Sequence, residues 1–290
     1  MNCARLLQRT SFTPKMLGSL ASFSTVWWLI VQAFQRKKKV SGVVAGAALA
    51  LFLVIGLLIE LIMRVVNLNR VVQANHVQMQ ALFGLQSELK PEHAFPTLGG
   101  WALKPQVALH YVQIIRQMKP EVVVEFGSGV STLLSALQLE KNGSGKVIAF
   151  DHEQKWLQHT KYDLHQHGVG HRTEIRHSPL TTIEIEGKNV QWYDTKILED
   201  IDRIDVMLVD GPPDTQDKGT RQPALSLLAD KFHDNSVIIV DDTARPVWNS
   251  WVHMWAANNG FLVEEPAQLD GAALVLYKRD SDYYRLREEL

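Results

Sequence analysis

Apolar positions along this chain follow three successive patterns. Leu17 to Phe34 and Val40 to Ile59 are almost unbroken apolar runs, separated by Arg36-Lys37-Lys38-Lys39. From Glu60 to Leu89 the apolar residues Leu61, Val65, Leu68, Val72, Met79, Leu82, Phe83 and Leu89 recur at roughly helical spacing among polar ones, which predicts an amphipathic helix ending near Pro91. Beyond it, short β-branched runs alternate with helical stretches. The strands expected are Val122 to Glu125, Val147 to Phe150, Glu174 to His177, Val206 to Val209 and Val237 to Val240, with Phe261 to Glu264 and Ala273 to Tyr277 joined by a turn at Asp270-Gly271. Strands alternating with helices predict a parallel α/β sheet.

An uncharged run of about twenty residues is long enough to span a bilayer. The run from Val40 meets that requirement, whereas the first run carries serines, a threonine, a glutamine and Trp27-Trp28 and also suits a helix lying at the interface. The expectation is a helical hairpin over 17–66, its second span at about 40–63, with a tail over 1–16 and a helical linker over 67–95. The lipid bilayer is then a partner. Basic residues on the two sides of such a hairpin nearly balance, so charge alone leaves the orientation open. The linker reads either as an amphipathic segment packed on the following domain or as the seam of a homodimer.

Candidate chemistry concentrates after the first strand. Val122-Val123-Val124 suits a strand covered on both faces. Glu125-Phe126-Gly127-Ser128-Gly129-Val130-Ser131-Thr132 then makes a tight Gly-x-Gly turn into a helix. Glycines there let a ligand approach the backbone, Ser131 and Thr132 can satisfy free amides, and the helix N-terminus favours an anion. Asp151 closes the next strand about twenty residues on, the spacing used to grip ribose hydroxyls in nucleotide-binding βαβ units. Thr132 stands where a dinucleotide fingerprint would have its third glycine. Glu125 stands where an acid can reach the amino group of S-adenosylmethionine.

With Val209-Asp210-Gly211-Pro212-Pro213, Arg221-Gln222-Pro223-Ala224-Leu225 and Val240-Asp241-Asp242-Thr243-Ala244-Arg245-Pro246 in order behind it, the stretch from about Pro96 to Arg279 resembles the class I S-adenosylmethionine-dependent methyltransferases. The resemblance implies a Rossmann-like, mostly parallel sheet with a terminal antiparallel hairpin over 96–280, leaving a tail at 281–290. It also implies an S-adenosyl-L-methionine pocket formed by Glu125, Phe126, Gly127, Ser128, Gly129, Ser131, Thr132, Asp151, His152, Ser178 and Asp210.

Asp210 or Asp241 is the candidate base. Trp101, Tyr193, Arg221, Asp242 and Arg245 are candidates for the acceptor side. Trp101 reads as a lid or a packed aromatic, and Trp192-Tyr193 as pocket wall or satellite core. Carboxylates at Asp210 and Asp241 could also hold a divalent cation, or cap loops and orient Arg221 or Arg245; no metal is assigned. The eleven histidines show no zinc-ligand spacing, and the lone Cys3 excludes an internal disulfide. A formal net charge of −1 gives no reason to expect nucleic acid as a partner. The function expected is a membrane-anchored methyltransferase acting on a small or lipid-linked acceptor. Its catalytic domain is expected in the cytoplasm, where the cofactor is made. The alternative is a scaffold or sensor that keeps the fold without catalysis.

Overall fold

A computed structural model describes residue 32 and residues 42–185, 187–213 and 219–288. The first apolar run, apart from Gln32, and the tail before it lie outside the described residues. The chain divides into two units, Met1–Val71 and Val72–Leu290. In the first unit the described residues other than Gln32 belong to helix α1, whose full extent is Gly42–Leu89. The apolar run that opens α1 has an eighteen-residue window of mean hydropathy 2.6, none of it buried.

In the second unit α1 contributes to the domain core. Ala81, Leu85 and Leu89 are buried and join the domain core. The fit is close at Gly84, where a Cβ would stand 2.7 Å from a Leu109 methyl.

The elements that follow are α2 (Pro105–Met118), β1 (Val122–Phe126), α3 (Val130–Asn142), β2 (Lys146–Asp151), α4 (Gln154–Gln166), β3 (Thr173–His177), β4 (Leu180–Ile185), β5 (Lys188–Tyr193), β6 (Ile204–Val209), α5 (Gln222–Ser226), β7 (Phe232–Asp241), α6 (Pro246–Asn258), β8 (Phe261–Glu264), β9 (Ala273–Lys278) and α7 (Asp282–Glu288). Seven strands form one sheet in the order β3-β2-β1-β6-β7-β9-β8. All run parallel except β9, which lies antiparallel between β7 and β8. The expected reversed strand and terminal hairpin are therefore present. β4 and β5 pair as a separate antiparallel hairpin.

Both faces of the sheet are covered, which explains the apolar runs: alternate residues must each find a core. On one face Val123, Val147, Val206 and Ile239 pack with Tyr111, Leu133 and Leu134. On the other, Val124, Phe150, Met207 and Ile238 pack with Trp192, Trp248 and Trp251. The period of two puts Glu125 on the same face as Val123, the side of α2 and α3.

Candidate functional site

The carboxyl ends of β1, β2, β6 and β7 meet at one edge of the sheet, where parallel α/β folds bind ligands. The β1–α3 turn is locked from below. Asp210 N donates to Phe126 O at 3.0 Å, and Gly127 N donates to Phe150 O at 2.9 Å. A Cβ on Gly211 would meet Gly127 N at 2.9 Å, Phe126 O at 3.0 Å and Tyr193 Oη at 2.8 Å, so the loop after β6 sits directly beneath the turn. Gly127 has φ +99° and lies against the Asp210 backbone, while Gly129, at φ +153°, opens onto free space. That open side is where a ligand can reach the backbone.

Asp151 is buried, and its carboxylate organises the same corner. Oδ2 accepts from Ser128 N at 3.1 Å and Ser128 Oγ at 2.8 Å, and Oδ1 accepts from Glu153 N at 2.9 Å. Lone pairs remain for a further hydroxyl donor. His152 is half-buried beside it, 3.5 Å from Asp151 Oδ1. Ser128, Asp151 and His152 thus lie together beside the Gly127–Gly129 turn.

Other expected cofactor residues take different roles. Glu125 is fully buried, with both carboxylate oxygens turned into the protein. Tyr111 Oη at 2.8 Å and Ser135 Oγ at 2.5 Å donate to Oε1, and Ser131 Oγ at 3.1 Å and Thr132 Oγ1 at 2.8 Å donate to Oε2. Burial raises its pKa above the usual carboxylate value, and the hydroxyls offset part of that rise. Four hydroxyls fill its acceptor sites. The structure therefore corrects Glu125 from ligand of the cofactor amino group to buried anchor of α2 and α3.

Ser131 and Thr132 belong to that network, and Thr132 Oγ1 also accepts from Gly129 N at 3.3 Å, closing the helix start. The Phe126 ring is fully buried against Phe150, Trp192 and Tyr193. Ser178, 1% exposed, accepts from Asp194 N at 3.1 Å and fastens the end of β5. Neither side chain is presented to a ligand.

On the acceptor side Asp210, Asp241 and Asp242 bring carboxylate oxygens within 4.8 Å of one another. Asp242 occupies a left-handed conformation, φ +61°, at the end of β7. Arg221 is buried behind them. Its guanidinium stands 3.4 Å from Asp210 Oδ1 and 3.0 Å from Asp242 Oδ2, and donates to the carbonyl oxygens of Pro212, Asp241 and Asp210. Arg221 is thus pinned as a floor, which corrects its assignment to substrate contact. It also supplies a cation to two of the three carboxylates, and no step below runs through a metal.

Burial, then the neighbouring Asp241 charge, pushes the Asp210 carboxyl well above its usual range. Burial, then Asp242, raises Asp241 to about 6. Both carboxyls are therefore harder to ionise than a free carboxylate.

Tyr193 is fully buried, its ring 5.7 Å from Phe126, so it supports the glycine turn rather than lining an acceptor pocket. Trp101 is 78% exposed, which removes the packed-aromatic alternative. Arg245 pairs with Asp242 at 3.1 Å. Sequence reasoning missed Tyr111 and Ser135; the four-residue step from Ser131 to Ser135, which aligns both on one face of α3, was the available signal.

A mostly parallel seven-stranded sheet with one reversed strand next to its edge is the Rossmann-like arrangement of a methyltransferase fold. Residues 124–243 match the sequence profile of the family described as "Methyltransferase domain". Among solved structures, the chain is similar to a methyltransferase from Geobacter sulfurreducens at 15% identity, covering 69% of this chain and 90% of that one, with a TM-score of 0.47. It is also similar to an SAH-bound methyltransferase from Podospora anserina at 14% identity, covering 68% and 88%, TM-score 0.45. The O-methyltransferase TomG of Streptomyces achromogenes, solved with SAM, aligns at 15% identity over 69% and 87%, TM-score 0.44. No curated protein matches.

Proposed function

We propose that this chain is a membrane-anchored methyltransferase whose catalytic domain lies in the cytoplasm and methylates a small or lipid-linked acceptor. The observation that carries the anchor is the apolar window of α1, of which none is buried. A core helix of equal hydropathy would be enclosed by protein. Cytosolic synthesis of the cofactor supports the orientation.

S-adenosylmethionine, when bound, supplies a methyl group already activated by its sulfonium. The chain's task is then to hold donor and acceptor in line and exclude water. Asp151 and the Ser128–Gly129 turn have the residues and the open approach to hold the adenosyl part. An acceptor hydroxyl or amine would give its proton to Asp241, which is ionised above about pH 6. Arg221 fixes the Asp210 carboxylate and the Asp241 backbone carbonyl. Trp101 is proposed as a lid, and Asp242 and Arg245 as the acceptor-side rim.

Transfer of labelled methyl to fractionated membranes and cytosol tests the reading. Label in a membrane lipid or lipid-linked fraction supports it. Label confined to soluble acceptors refutes the lipid-linked clause. No transfer by a folded, cofactor-binding protein would favour a sensor. A reporter fused after Leu89 and found outside the cell would refute the orientation.

A further inference from the structure

Helices α5 and α6 both start at the carboxyl edge of the sheet, where Arg221 and Arg245 precede them and pair with Asp242. Farther down, a cleft of about 260 Å³ opens between them. Ser226 and Ala229 line one side, and Trp251, Met254, Trp255 and Asn258 the other. A helix rises about 1.5 Å per residue, so the cleft positions of α6 lie roughly 8–18 Å along it from Pro246 and the acceptor edge. Its walls are held rigidly. Trp251 is 8% exposed and stacks on Trp248 at 5.6 Å and 13°, and Trp255, 6% exposed, packs against Phe261 at 5.5 Å.

The chemistry of the lining says what can enter. None of these residues is titratable, so a charged ligand would lose water without gaining a counter-ion. Two indoles and the Met254 thioether offer flat, polarisable apolar surface instead. Two lining residues also carry buried polar atoms that have no hydrogen-bond partner among the described residues, Trp251 Nε1 and Ser226 Oγ. The stacked neighbour shows the usual arrangement, since Trp248 Nε1 donates to Asp241 O at 3.1 Å. An indole N–H can only donate, so whatever satisfies Trp251 must bring an acceptor. The volume lies just below the roughly 300–1,000 Å³ of pockets for drug-sized ligands, which limits the occupant to one or two fused rings.

We propose that this cleft is a second ligand site, separate from the cofactor edge, for a neutral ring compound bearing a carbonyl. The ring lies against Trp251, Met254 and Trp255, and the carbonyl oxygen accepts from the Trp251 indole N–H. The Ser226 hydroxyl offers a further donor.

The test uses the full-length chain in detergent, labelled with 5-fluorotryptophan, and two probes of one shape: 1-indanone, which has the carbonyl, and indane, which lacks it. The Trp251 fluorine resonance is identified by its loss in Trp251→Phe. At equal free probe concentration, 1-indanone is expected to shift that resonance to a plateau and to bind at least about fivefold more tightly than indane, because only the ketone satisfies the N–H. Trp251→Phe keeps an aromatic ring and should bring the two affinities within about twofold of each other. Saturating S-adenosylhomocysteine should leave 1-indanone binding unchanged. Equal binding of the two probes to the wild type would mean that water serves the N–H, and a shift without a plateau would mean that there is no site. A preference that survives Trp251→Phe would take the carbonyl off the indole, and displacement by S-adenosylhomocysteine would put the ketone in the cofactor pocket. Each of these four results overturns the proposal. The wild-type comparison stands even where Trp251→Phe does not fold, and no readout uses methyl transfer, so it succeeds or fails apart from the enzymatic reading.

Discussion

Replacing Glu125 by Gln separates its two conceivable jobs. The substitution keeps shape and removes one acceptor oxygen. An amide nitrogen must then face either Tyr111 and Ser135 or Ser131 and Thr132, all of which donate to the carboxylate. Two hydrogen bonds are lost or inverted at about 1 kcal/mol each, and a hydroxyl left unsatisfied adds about 1–3 kcal/mol. Ser135 can recover part of this, since its hydroxyl already lies 3.0 Å from Ser131 O. The net expectation is a loss of about 2–4 kcal/mol, which for a domain of this size lowers Tm by roughly 4–16 °C. The sign with pH follows from the raised pKa of Glu125. The folded protein holds this proton more tightly than the unfolded chain, so the wild type loses stability as pH rises from the unfolded value through the folded one, and Gln does not. The deficit of E125Q should therefore be largest in acid and narrow as pH rises. Thermal unfolding across pH, with calorimetry against S-adenosylhomocysteine, measures both quantities. Cofactor affinity should change less than about threefold, under 1 kcal/mol. An unchanged Tm together with a large loss of affinity would refute the anchoring role and restore Glu125 as a ligand.

Asp151→Asn should weaken cofactor binding about 10–100-fold in calorimetry, since a charge-assisted acceptor is worth about 1.5–3 kcal/mol; unchanged affinity would remove Asp151 from the pocket. If Asp241 is the base, the rate of methyl transfer should rise through about pH 6 as its carboxylate ionises. D241N should then lose that limb of the profile, and its persistence would exclude Asp241. Gly211→Ala should destabilise the domain by about 1–3 kcal/mol through overpacking. Adding Tyr193→Phe should not restore it, because the contacts at 2.9 Å and 3.0 Å are with backbone atoms; full rescue would mean that the tyrosine hydroxyl was the obstacle.

The sheet was readable because its inner strands β1, β2 and β6 are covered on both faces and so announce themselves as apolar runs, and because β9 follows β8 closely enough to be read as a hairpin. The Asp151 corner was readable because its signal is a spacing, and spacing survives folding. Glu125 was misread because motif position says where a backbone sits, whereas the direction of a side chain follows from strand period. Counting from Val123 by two turns Glu125 toward α2 and α3, away from the sheet edge where ligands lie. Phe126 and Ser178 fail as ligands for a related reason: positions beside a binding turn must also hold it up, and in this chain the ring and the hydroxyl are spent on Trp192 and Asp194. Arg221 shows the limit most clearly. Its sequence neighbours give no hint that the residue is buried, since its partners Asp210, Pro212, Asp241 and Asp242 come from two strand ends that only the fold brings together. Losing Arg221 would leave Asp210 and Asp241 facing one another without a buried cation, Arg245 still pairing with Asp242, so the side chain is better understood as the condition for a carboxylate pair at this edge than as a contact for whatever binds above it.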